Sequence, residues 1–133
     1  MADRNRLLAL SHQLADIHDR LRDQLADLET PADLQAHCVA FCAALTRHHE
    51  AEEAGAFPRL AAEFPDLAPI LDELRRDHEL IVDSLRKLAA GPTALERATL
   101  AALLETHFTY EERKLAAALD RLDPDLGPTL LGT

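Results

Sequence analysis

Leucine and isoleucine recur along this chain at alternating intervals of three and four residues, and that period narrows what it can fold into. Leu7, Leu10, Leu14, Ile17, Leu21, Leu25 and Leu28 follow it, and Leu67, Leu71, Leu74, Ile81, Leu85 and Leu88 follow it again. At 3.6 residues per turn such positions share one face of a helix, whereas a strand would send alternate residues to opposite sides. Gly (4), Phe (4), Tyr (1) and Trp (0) are scarce, so local preference agrees with the period. The chain is expected to be all-α.

Punctuation divides it into four helices. The first runs from about residue 3 to 29 and is broken by "ETPADL", with a proline just inside a new start. The second carries Leu34, Cys38, Phe41 and Leu45 until Gly55 and Pro58 end or kink it. The third carries the stripe from Leu67 to Leu88 and stops at Gly91 and Pro92. The fourth starts near Thr93, continues through Leu100, Leu103, Leu104 and Leu115 to Leu122, and fades into "DPDLGPTLLGT". Mostly short links between long amphipathic helices predict an antiparallel up-down-up-down four-helix bundle over residues 1–122, with 123–133 a loosely attached tail. Cys38 and Cys42 stand four apart, a spacing that suits neither a zinc site nor a redox pair, and they read as packing residues.

The formal net charge of -10 repels phosphate backbones and anionic lipid, and no basic stripe offsets it. Nucleic acid and membrane are not expected partners. No apolar run has the length of a signal peptide core or a membrane span, so a cytoplasmic location is expected.

Seven histidines remain to be placed. His18, His78 and His107 fall on the apolar stripes of the first, third and fourth helices, and His12 on a peripheral face. On the second helix His49 with Glu53 extends one row and His48 with Glu52 another, and periodicity does not choose between them. His107 with Glu111 repeats the four-residue spacing, at which side chains meet on one face. One buried histidine is an ordinary core residue. Four on four helices, two with a carboxylate one turn on, are too costly to bury unless a cation compensates them. Imidazole with carboxylate suits iron, manganese or zinc, and without thiolate ligands it leans toward non-haem iron.

The segments "IHDRLRDQL", "HHEAEEAGAFPRL", "RRDHELIVDSL" and "THFTYEERKLAAAL", in this order, resemble the bacterial hemerythrin-like domain, or HHE cation-binding domain, from about residue 10 to 120. The resemblance implies a di-iron centre, two iron ions with an oxo or hydroxo bridge, inside the bundle. It selects His49 and Glu53 on the second helix and makes His18, His78, His107 and Glu111 the other ligands. Two departures stand out. Val82 replaces the second histidine of the third helix, and the fourth helix carries His107-x3-Glu111 in place of His-x4-Asp, with Glu112 at the longer spacing. The implied set is then six ligands, with His48, Glu52 and Tyr110 the candidates to fill the vacated place and each otherwise a supporting or surface residue. The implied ligand is a small oxidant such as dioxygen, peroxide or nitric oxide, which the site binds or consumes, with a protein redox partner left open. The alternative is a zinc or iron-buffering helical module without redox chemistry.

Overall fold

The computed structural model describes residues 8–28, 34–90 and 93–132. The expected start of the first helix near residue 3, the break at 29–33 and the stop at Gly91 and Pro92 lie outside them. Within them the helices are α1 (Leu10–Asp27), α2 (Leu34–Ala51), α3 (Phe57–Glu63), α4 (Ala68–Ala90), α5 (Ala94–Leu119) and α6 (Gly127–Leu131). A π turn at Glu52–Ala56 joins α2 to α3, and 3-10 turns occupy Pro65–Leu67 and Pro124–Leu126. The all-α expectation holds.

The long helices close a ring in which α1 packs on α2 and α5, and α4 on α2 and α5. Cross-helix pairs give the directions. Along α1, Ser11, His18 and Arg22 meet Asp120, Glu112 and Glu105, so α5 runs antiparallel to it. Along α4, Glu73 and Asp77 meet Tyr110 and His107, so α5 is antiparallel to α4 as well. Thr93 caps α5 by accepting the Glu96 N–H at 3.1 Å, which satisfies one of the donors a helix start leaves open. The stripes face inward as expected: Leu10, Leu14, Leu71, Leu74, Ile81, Leu100 and Leu115 are buried, together with Phe41, Leu45 and Phe108. Each such side chain stabilises the fold by about 1.5–3 kcal/mol relative to an exposed one. Leu103 is only half-buried, and Leu104 takes its place in the core.

The interruption expected at Gly55 and Pro58 takes the form of the π turn at Glu52–Ala56. Proline cannot donate a backbone hydrogen bond, and the chain widens into the π turn just before it, where the Phe57 N–H reaches back five residues to the Glu52 carbonyl. Helix geometry then resumes in α3. One expectation is corrected: the C-terminal residues do not form a loosely attached tail. The chain turns back after α5, Leu130 and Leu131 are buried, and α6 lies on the π turn. A Cβ at Gly55 would stand 2.9 Å from the Thr129 carbonyl oxygen, so only glycine allows that approach.

Among the described residues no helix is long and apolar enough to cross a membrane. Cys38 is buried and Cys42 half-buried, their sulfurs 4.0 Å apart, and burial beside Cys38 pushes the Cys42 thiol up to about 11. At neutral pH it is a protonated packing group.

Candidate metal centre

The polar groups of the core come from four helices and the π turn. From α1, His18 is fully buried, with Nε2 3.2 Å from Glu111 Oε1. Its Nδ1 lies 2.7 Å from Glu112 Oε2, a carboxylate also held by Arg22 at 3.1 Å. From α4, His78 sets Nδ1 2.6 Å from Glu53 Oε2, and from α5, His107 sets Nδ1 3.1 Å from Asp77 Oδ2.

Helix α2 contributes both of its adjacent histidines. Consecutive residues on a helix diverge by about 100°, and α2 sits between α1 and α4 in the ring, so one ring turns toward each neighbour. His48 meets His18 edge-on with centroids 5.2 Å apart, and His49 stacks on His78 at 3.7 Å. Glu52, one turn after His48, is buried at the start of the π turn, while the Glu53 side chain is 43% exposed.

Two groups of potential ligand atoms result. His49, His78 and His107 form one; His18, His48, Glu52 and Glu111 form the other. The carboxylates reach across: Glu52 lies 3.5 Å from His48 Nε2 and 3.4 Å from His78 Nε2, and Glu111 lies 3.2 Å from His18 Nε2 and 3.7 Å from His107 Nε2.

The donor inventory fits a cation. Nε2 of His49, His78 and His107 and all four oxygens of Glu52 and Glu111 are buried without a hydrogen-bond partner. The Nε2 atoms of His18 and His48 face each other at 3.3 Å, where at most one can carry a proton for the other. Buried lone pairs turned on one another are costly unless a positive centre accepts them. The titration shifts describe the same frustration without metal. Burial pushes His48 down to about 4 and His49 well below its ordinary value, the latter also repelled by neighbouring imidazoles. Burial and the adjacent Glu111 hold Glu52 well above the usual carboxylate range. Burial opposes the charge on Glu111 too, but contact with His18 overcomes it and holds that carboxyl low. His18 rises, because Glu111 and Glu112 outweigh its burial.

Of the six residues expected as ligands, His18, His49, His78, His107 and Glu111 come together, and Glu53 does not. Glu53 stands behind His78, and Glu52 occupies the interior place. His48 joins the interior as well, as a candidate for the vacated place and not as a surface residue. The missed signal is apolar bulk. Phe41 and Leu45 are both fully buried, so the row that continues to His48 and Glu52 faces inward, and the half-buried Cys42 marks the edge of that face. Glu112 is outside, as the four-residue spacing from His107 requires, and Tyr110 turns away to donate to Glu73 at 2.8 Å.

An antiparallel helical bundle enclosing a buried cluster of imidazoles and carboxylates defines a metal-binding helical protein. Within that class, the Hemerythrin HHE cation binding domain family matches residues 9–123, and the chain belongs to that family. Comparison with curated proteins and with solved structures returned no match.

Proposed function

We propose that the chain holds two iron ions in adjacent positions and binds or reacts with a small oxidant, namely dioxygen, peroxide or nitric oxide. The observation that carries this reading is the pair of ligand groups spanned by Glu52 and Glu111, each of which faces an imidazole of both. Five histidines and two glutamates would hold the metal: His49, His78 and His107 in one group, His18 and His48 with Glu52 and Glu111 in the other. Iron bound there would supply an accessible redox couple.

The chain's residues do the rest. Nδ1 acceptors behind His18, His78 and His107 are carboxylates, which fix each tautomer with Nε2 inward and raise ligand basicity. Phe108 stacks on His18 at 4.1 Å and Phe57 lies 5.6 Å from His78, so apolar surface borders the imidazoles and limits water. A cavity of about 550 Å³ opens between α2 and α4 against His49, His78, Val82 and Leu85, with Glu50, Glu53 and Glu79 around it. A carboxylate-lined approach favours neutral molecules over anions.

The test is metal content of protein purified without added metal, with visible spectra before and after azide and peroxide. About two irons per chain with absorption that azide shifts supports the reading. Zinc in the site, or iron that ignores peroxide and azide, replaces it with the non-redox metal module.

A further inference from the structure

The ring of helices accounts for how three of the five inward histidines are held. Glu112 rides on α5, Glu53 on the π turn and Asp77 on α4, and each accepts from the Nδ1 of an imidazole on a neighbouring helix. His48 is held differently. Its Nδ1 donates to the backbone carbonyl of Leu131, 2.6 Å away and 83 residues later in the chain.

That carbonyl is presented by a segment built to stay in place. Leu130 and Leu131 are 4% and 1% exposed. On one side α6 lies against Gly55, where an added Cβ would come within 2.9 Å of the Thr129 oxygen and 3.2 Å of Leu130 Cα. At its end Gly132 adopts φ +68°, its N–H closes onto the Pro128 carbonyl at 3.1 Å, and an added Cβ would lie 2.7 Å from Ala51 Cβ. Gly55 lies against the backbone of α6, and Gly132 against Ala51 Cβ and the Arg47 carbonyl of α2, so each position needs glycine. At the other end Gln13 donates to the carbonyls of Leu8 and Pro124, tying the turn before α6 to the start of α1.

We infer that Leu131 is a positioning residue for the metal centre and that α6 is the clasp that carries it. Its carbonyl holds His48 in the tautomer with Nε2 free to face Glu52 and His18. A neutral carbonyl raises imidazole basicity less than a carboxylate does, and this position has two imidazoles where the other has three, so the His18–His48 position is the more labile of the two. Lifting α6 releases that ion and leaves the His49–His78–His107 position filled. This inference rests on the two-metal reading above and adds the dependence of one position on a remote segment.

The test uses the full chain loaded with cobalt(II) under argon, in wild type and in two variants that push α6 away from opposite sides, Gly55→Val and Gly132→Val. The readouts are hydrogen exchange of the 129–132 amides, the affinity of each cobalt equivalent, and the paramagnetically shifted Nδ1–H resonance of His48, assigned by its loss in His48→Gln. The expected result is fast exchange in α6, a weaker equivalent bound about 10–100-fold less tightly, loss of the His48 N–H signal, and an unchanged tighter equivalent. Fast exchange in α6 with both equivalents and the His48 signal unchanged overturns the positioning role. Full protection of α6 in both variants overturns the clasp. Wild-type chain that takes up no cobalt sinks this inference together with the metal reading, and is told apart by the empty parent protein.

Discussion

Replacing Glu52 by glutamine should have opposite effects in the presence and absence of metal. Glu52 is 1% exposed, and burial next to Glu111 raises its pKa well above the ordinary 4.5. In the metal-free fold it keeps its proton at pH values where the unfolded chain has lost it. The folded state therefore binds more protons through that window, and stability falls as pH rises above 4.5. At pH 7 the metal-free fold carries a penalty that it lacks at pH 4.5. Glutamine keeps the shape and removes the titration. A chain of 133 residues has an unfolding entropy of about 0.28 kcal/mol per kelvin, so relief of about 1–3 kcal/mol, the cost of a buried, unsatisfied polar group, raises the metal-free Tm by about 4–10 °C. The gain should shrink to nothing as pH falls toward 4.5. With metal the sign reverses, because a ligand to both ions is gone. Melting curves of chelator-treated and metal-loaded protein from pH 4.5 to 7.5 measure both effects. A metal-free Glu52→Gln protein that melts below wild type at pH 7, or a gain independent of pH, refutes the reasoning.

Glu53→Gln serves as the contrast: with its side chain 43% exposed, it should leave metal-free stability within about 0.5 kcal/mol and weaken metal binding through His78 by about tenfold, read by competition with a chromophoric chelator. Asp77→Asn removes the charge behind His107 and should lower affinity about 10–100-fold without changing helix content by circular dichroism. Phe41→Ala empties a fully buried site and should cost about 3–5 kcal/mol in denaturant unfolding. Val39→Asp, on a residue 64% exposed three positions from Cys42, should change stability by less than about 0.5 kcal/mol in the same assay.

The helices were legible because their signal is collective. A stripe such as Leu71, Leu74, Ile81, Leu85 and Leu88 repeats its message at every turn, and all five are buried. His18, His78, His107 and Glu111 were legible for the same reason, since each stands on such a stripe. The second helix was harder because two rows reach the interior at its end. His48 and His49 point toward different neighbours, and the π turn that begins at Glu52 depends on a proline six residues later. Periodicity read on an ideal helix contains no such turn. The closing segment was illegible for a different reason. Its attachment relies on Gly55 and Gly132 offering backbone surface, and on one carbonyl, none of which produces an apolar period.

The most direct test of the central account is an anaerobic titration of metal-free protein with ferrous iron, followed by bound metal per chain in wild type and in Glu52→Gln. Two adjacent positions sharing Glu52 and Glu111 predict an end point of about two irons in the wild type, falling to about one or fewer when Glu52 loses its charge. A wild-type end point of one iron or none, or a Glu52→Gln protein that still takes up two, would contradict it.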